Sequence, residues 1–212
     1  MVAIYYRILT TGLLALAIAL PTVGSATSSV NTTDTFVFMR HAEKPAAGLG
    51  QLSCRGLNRA LALPTVLEKR FGKPTALFAP NPGERFKDHG IAYNYIRPLA
   101  TIEPSAIRLA MPVNTDFGVT QTAKLQAALI ANLHHRTGTM TWIAWEHSKI
   151  PGIVRGLIEH YQGNPKLVPR WQDDDFDSVY IVTLQHDKKL TTVHFSIEKQ
   201  GLNGQSEQCP NG

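Results

Sequence analysis

Two histidines in this sequence each follow a charged residue at the end of an apolar run. Arg40-His41 comes directly after Thr35-Phe36-Val37-Phe38-Met39, and Glu146-His147 directly after Thr141-Trp142-Ile143-Ala144-Trp145. An imidazole titrates close to neutrality and can serve as nucleophile, base or acid, and an arginine is a permanently charged fork that fits an oxyanion. A lone histidine is ordinarily a hydrogen-bonded structural residue. Two at strand ends, each beside a charge, point instead to one reaction site if the strands lie parallel in one sheet.

The rest of the chain supplies such a sheet. The run 35–39 and the stretches 75–79 and 141–145 read as short buried strands, separated by helical patterns. Ser53 caps the first helix, which carries Leu57, Ala60, Leu61 and, across a bend at Pro64, Leu67, and which Gly72 and Pro74 end. Further helices are expected over 102–109, 120–133 and 150–161. Between them, 80–90 is rich in Pro, Asn, Gly and charge and reads as a loop. Val179 to Leu184 and Thr191 to Ser196 form a hairpin around Asp187-Lys188-Lys189. Trp142 and Trp145 are read as in phase on one strand and packed in the core. Alternation of this kind predicts an α/β three-layer sandwich, a mostly parallel sheet with helices on both faces, whose ligands bind outside the carboxyl ends of the strands.

With the motifs in hand, a family resemblance follows. Phe36-Val37-Phe38-Met39-Arg40-His41-Ala42-Glu43-Lys44-Pro45 resembles the Arg-His-Gly/Ala signature of the histidine phosphatase (phosphoglycerate-mutase-like) superfamily. Leu52-Ser53-Cys54-Arg55-Gly56-Leu57-Asn58-Arg59-Ala60 is similar to its helix start. Arg97-Pro98-Leu99-Ala100-Thr101-Ile102-Glu103-Pro104 is similar to its Arg-Ala-x-x-Thr-Ala-Glu-Pro segment, and Trp145-Glu146-His147-Ser148-Lys149-Ile150-Pro151 to its second-histidine turn. The resemblance implies the fold of that superfamily and a phosphatase in which His41 attacks phosphorus to form a phosphohistidine. Arg40 and Arg97 would hold the equatorial oxygens, with His147 as a further donor and Lys44 as a phosphate contact or a solvated loop lysine. No metal and no cofactor is implied, since arginines supply the cations, and the substrate is a small phosphorylated molecule.

The proton donor to the leaving group departs from the family pattern, because Ser148 rather than Asp follows His147. Glu146 is the first candidate, Asp116 the second and Glu43 the third; Glu146 could equally orient His147 or Arg97. Glu103 is expected to stabilise the first turn of its helix. His134-His135 near a helix end has no third ligand at fixed spacing and reads as helix-terminal charge rather than metal. The polar stretch containing Asn81, Glu84, Arg85, Lys87, Asp88, His89 and Tyr93 could recognise the leaving group or be a plain surface loop. The run Asp173 to Asp175 reads as a solvated turn or as one border of the pocket.

Composition bounds these readings. At 43% hydrophobic and 17% charged, the chain is neither disordered nor collagen-like, and its 212 residues suit one core. The net charge of +5 is spread without a basic block, so no nucleic-acid face is expected. Arg7, the apolar stretch Ile8 to Leu20, and Val23-Gly24-Ser25-Ala26 have the order of a signal peptide, which gives a leader over 1–26 and one domain over 27–212. The expected location is therefore periplasmic or secreted, with no stable membrane span after cleavage. Export would allow Cys54 and Cys209 to pair. The rival readings are an inactive phosphate or phospho-sugar binding module, a phosphohistidine-protein phosphatase, which export disfavours, and a mutase, whose Glu-rich loop is not evident.

Overall fold

Phe36, Val37, Phe38 and Met39 expose almost no surface, so the strand they form, β1 (Thr32–Arg40), is covered on both faces. An unbroken apolar run requires such covering. The computed structural model describes residues 32–133, 138–187 and 190–210. The expected leader over 1–26, His134-His135, and Lys188-Lys189 of the expected hairpin turn lie outside the described residues.

After β1 come α1 (Cys54–Phe71), β2 (Ala76–Phe78), β3 (Arg85–Asp88), β4 (Ile91–Asn94), α2 (Arg97–Leu109) and β5 (Val113–Asn114). The chain continues through α3 (Thr122–Leu133), β6 (Met140–Trp145), α4 (Ile150–His160), β7 (Ser178–His186) and β8 (Thr191–Lys199). The main sheet has the order β5-β2-β6-β1-β7-β8. β5, β2, β6 and β1 are parallel neighbours, and β7 and β8 add antiparallel strands. On one face Leu125 and Leu129 of α3 and Ile153, Val154 and Leu157 of α4 pack on Phe36, Phe38, Ile143 and Trp145. On the other, Leu63 and Leu67 of α1 and Ile102 and Ala106 of α2 pack on Val37, Met39, Trp142 and Ala144. The expected three-layer α/β sandwich is present. Among the described residues, no helix is long and apolar enough to cross a membrane.

Four local expectations are corrected. Trp142 and Trp145 are both buried, but three residues apart on a strand they fall on opposite faces and serve different clusters. α1 continues past Pro64 to its Gly72 cap as expected, but Leu57 and Leu61 are exposed; its inner face is Arg59, Ala60, Leu63 and Leu67. α2 begins at Arg97, because Pro98 suits a first turn, where its missing N–H is no loss. Glu103 therefore lies beyond the first turn and is exposed. The stretch 80–90 is not all loop, since β3 and β4 form a separate hairpin.

Cys54 and Cys209 form a disulfide that ties the first residue of α1 to the tail across 155 positions. Arg59 reinforces that tie from within. Its guanidinium, 1% exposed, donates to both oxygens of Glu43 and to Asp177, Gln200 and Asn203.

Candidate active site

Arg40 pairs with Trp145 across the parallel β1–β6 register, and the His41 N–H donates to the Trp145 carbonyl at 3.0 Å. The strand ends thus bring Arg40-His41 and Glu146-His147 to one edge of the sheet, as the spacing predicts. A second anchor comes from α2, whose Thr101 hydroxyl accepts from the Ala42 N–H at 2.9 Å. α1 approaches equally closely. A Cβ on Gly56 would lie 2.2 Å from the Glu43 carbonyl oxygen, so only glycine fits that first turn.

His41 is 2% exposed, and its Nδ1 lies 2.7 Å from the Ala42 carbonyl oxygen. A carbonyl only accepts, so Nδ1 carries the hydrogen and Nε2 keeps its lone pair. Burial, together with the nearby Arg97 and Arg40 charges, pushes the imidazolium pKa down to about 3. The ring is neutral across the ordinary pH range, the form a nucleophile requires.

Arg40 is held by the turn between Trp171 and β7. Its Nη1 donates to the carbonyls of Asp173 and Asp175 at 2.8 and 3.1 Å, and its guanidinium carbon lies 3.7 Å from the centre of the Phe176 ring. The acidic run therefore borders the site through its backbone. Burial lowers the Arg40 pKa to about 10, against the pull of Glu146, which leaves the guanidinium charged at neutral pH. Arg97 is 3% exposed at the start of α2, with its guanidinium carbon 4.9 Å from the centre of the Tyr95 ring. The Nε groups of both arginines and the Tyr95 hydroxyl are buried without a hydrogen-bond partner among the described residues. Buried polar groups are nearly always paired, and a bound anion would pair these donors.

Glu146 has a different job from the proton donor expected of it. Its Oε1 lies 2.6 Å from His147 Nδ1, and its Oε2 accepts from the N–H and hydroxyl of Ser148. Burial favours protonation, but His147 and Ser148 outweigh it and hold the carboxyl at about 2. Ionised in the ligand-free protein, it is placed to orient His147. His147 Nε2 reaches Asp173 Oδ1 at 3.3 Å, which closes the site on that side. The other two candidates are also engaged. Glu43 is locked on Arg59, and Asp116 is exposed and bonded to Asn114 in its own turn.

Tyr95 and Phe176 escape sequence reasoning, which singles out Asp88 only as one of several polar residues that could recognise the leaving group. Asp88, 5% exposed, bonds Lys44 Nζ at 2.6 Å through Oδ1 and Arg97 Nη1 through Oδ2. Burial would raise its pKa, yet Lys44 and Arg97 together hold it below the usual carboxylate range. His89 and Gly90, both at positive φ, make the two-residue turn joining β3 to β4 and fix this position. The signal was weak because histidine stands where such turns usually carry Asn or Asp. Tyr95 packs edge-on to His41 at 6.1 Å, and burial beside Glu146 pushes its hydroxyl pKa up. Phe176, under Arg40 and 6.2 Å from the His41 ring, also lines a cavity of about 580 Å³. Lys44, Pro45, Leu49 and Leu52 line that cavity too.

No protein-family model matches the chain, and no curated protein matches its sequence. Solved structures do. The protein histidine phosphatase SixA complexed with tungstate matches with a TM-score of 0.54 at 14% identity, over 78% of this chain and 97% of that one. Phosphoglycerate mutase from Plasmodium falciparum matches at 0.51 and 12% identity, over 81% of this chain and 92% of that one. The fold is that of histidine phosphatase and phosphoglycerate-mutase-like proteins. The likeness at such identity is one of fold, and function has to be argued from the site.

Proposed function

We propose that the protein is an exported, metal-independent phosphatase that hydrolyses phosphomonoesters through a phosphohistidine on His41. One observation carries the reading: a buried, neutral imidazole with its hydrogen on Nδ1, close to the charges of two buried arginines whose Nε donors lack partners among the described residues. The fold shared with a protein histidine phosphatase solved with tungstate, a tetrahedral oxyanion, supports it.

In this mechanism Arg40, Arg97 and His147 hold the nonbridging oxygens, and His41 Nε2 attacks phosphorus in line. The bond from phosphorus to the leaving oxygen breaks as the bond to nitrogen forms. Water then displaces the imidazole, releasing inorganic phosphate and restoring His41. Charge gathers on the phosphoryl oxygens in both steps, and fixed guanidinium donors in a buried site stabilise it without reorganising. Lys44, bonded to Asp88 beside Arg97, extends the positive field toward the cavity. Glu146, 2.6 Å from His147 Nδ1, aims that ring at the anion pocket.

The test is hydrolysis of para-nitrophenyl phosphate from acidic to neutral pH with EDTA present. Turnover that tungstate or vanadate inhibits and that His41→Ala abolishes is expected. An equally active His41→Ala protein overturns the mechanism. Tight tungstate binding with no turnover of any ester leaves a phosphate-binding module on the same fold. Export is supported by the leader pattern and by the Cys54–Cys209 disulfide, a bond typical of oxidising compartments. Cell fractionation should find processed protein in the periplasm or medium, and unprocessed protein in the cytoplasm would refute export.

A further inference from the structure

Glu43 and Asp116 are bonded away from the anion pocket. Glu146 is held ionised in part by Ser148, a neutral donor whose pull no arriving phosphate would offset. The phosphatase reading therefore still needs a group to protonate the leaving oxygen. An alkoxide is a poor leaving group, and positioned acid catalysis commonly contributes about 10²- to 10⁴-fold. Asp88 is a buried carboxylate in direct contact with a phosphate-holding arginine and with a cavity-lining lysine. One of its oxygens is bonded to Arg97, which grips phosphate in the proposed mechanism, and the other to Lys44, which lines the 580 Å³ cavity. That cavity adjoins the nucleophile, because Phe176 both lines it and lies against Arg40 and the His41 ring. It is of a size that takes a small organic group. A substrate with its phosphoryl group on Arg40 and Arg97 and its organic part in this cavity passes its bridging oxygen by Asp88.

We infer that Asp88 is the proton donor to the leaving group, a role that rests on the phosphatase reading and makes the β3–β4 hairpin part of the catalytic machinery. In the first step the Asp88 carboxyl gives its proton to the bridging oxygen as the phosphorus–oxygen bond breaks and the His41–phosphorus bond forms. In the second the Asp88 carboxylate takes a proton from the water that attacks phosphorus, while the phosphorus–nitrogen bond breaks. The carboxyl is restored along with free His41 and inorganic phosphate.

The proton arrives with the substrate. In the ligand-free protein Asp88 faces Lys44 from the loop after β1, Arg97 from α2 and, at 3.9 Å, His89 on its own hairpin. These neighbours keep it ionised. A dianionic phosphoryl group arriving on Arg97 offsets that cation and sets two negative charges beside the carboxylate, which then takes up a proton. Proximity to the substrate phosphate thus converts a structural ion pair into an acid.

The experiment compares wild type and Asp88→Asn on two esters, an alkyl phosphate and para-nitrophenyl phosphate, whose leaving group needs little protonation. The loss of kcat on the alkyl ester should exceed that on the aryl ester by about 100-fold. Equal losses on both would mean that Asp88 only positions Arg97, and the assignment falls. A second measurement needs no variant. Tungstate stays a dianion near pH 6.5, so calorimetry in buffers of different ionisation enthalpy counts the protons the protein takes up with it. Wild type should take up a proton that Asp88→Asn does not; no uptake by wild type, or equal uptake by both, refutes the inference. A wild type that turns over neither ester refutes the phosphatase reading itself, and this assignment with it.

Discussion

Glu43 grips the Arg59 guanidinium with both carboxylate oxygens, at 2.8 and 2.9 Å, two residues after the proposed nucleophile. The pair ties the catalytic loop to α1, and the same guanidinium reaches Asp177 just before β7 and Gln200 and Asn203 in the tail. Replacing Arg59 by Met leaves the Glu43 and Asp177 carboxylates facing each other in a poorly hydrated space. Breaking one side of a buried ion network costs about 3–5 kcal/mol. Thermal denaturation of Arg59→Met should show a loss of that order, together with weaker turnover. A midpoint within a degree or two of wild type would show that the network contributes little.

The disulfide acts on the same strap from outside. The tail is bonded to α1 through Asn58 and through the Arg55–Glu207 pair, both exposed and weak on their own. Closing a loop of 155 residues removes unfolded-state entropy equivalent to about 5 kcal/mol in the chain-entropy model. Reduction, or the double change Cys54→Ser and Cys209→Ser, should therefore lower the denaturant midpoint clearly. Because Glu207 and Cys54 line the cavity beside Phe176, the reduced protein should also bind bulky esters less selectively. An unchanged midpoint would show that the noncovalent contacts suffice.

How much of this was legible depends on how far apart in sequence the cooperating residues lie. Arg40-His41 and Glu146-His147 declare themselves because a buried strand ends abruptly in charge, and parallel strands put such ends together. Arg97 has no comparable local signature, and only the resemblance around Arg97-Pro98 singles it out. Asp88 stands out only as one polar residue among several in its stretch. Its environment is a lysine 44 residues before it and an arginine nine residues after it, brought together by a hairpin of two four-residue strands, Arg-Phe-Lys-Asp and Ile-Ala-Tyr-Asn, that carry little periodic signal. Phe176 is invisible for the same reason, since its partner Arg40 lies at the far end of the chain's fold. The two roles open to Glu146, acid or orienter of His147, could not be told apart, because a sequence shows a carboxylate but not the Ser148 and His147 donors that keep it ionised.

Stability should fall in acid, in a window set by His41. Its folded pKa, about 3, lies below the ordinary 6.5, so between those values the unfolded chain binds a proton that the folded one refuses. Stability is lost as pH drops through that range. Glu146 acts lower down: held at about 2 against the usual 4.5, it adds stability above pH 4.5 that disappears as pH falls toward 2. His41→Gln removes the first contribution only. Its melting temperature should decline less steeply than that of wild type between pH 6.5 and 4.5, and parallel curves would contradict a buried neutral His41.

Tyr95 offers a substitution whose two effects have opposite signs. Its ring is 1% exposed and packs against Phe86 at 5.0 Å, against the edge of His41 and beneath Arg97, and phenylalanine keeps all of these contacts. Only the hydroxyl is lost, a buried group that lies near the Arg97 guanidinium but makes no well-formed hydrogen bond among the described residues. A buried unpaired polar group costs about 1–3 kcal/mol, so Tyr95→Phe should raise the melting temperature of the ligand-free protein. The hydroxyl finds its partner when an oxyanion enters, and a net hydrogen bond of about 1–1.5 kcal/mol corresponds to roughly tenfold in affinity. Tungstate titration should therefore show about tenfold weaker binding by the more stable variant. Unchanged affinity would mean that the hydroxyl faces away from the anion, and the phosphate site would then rest on the arginines and His147 alone.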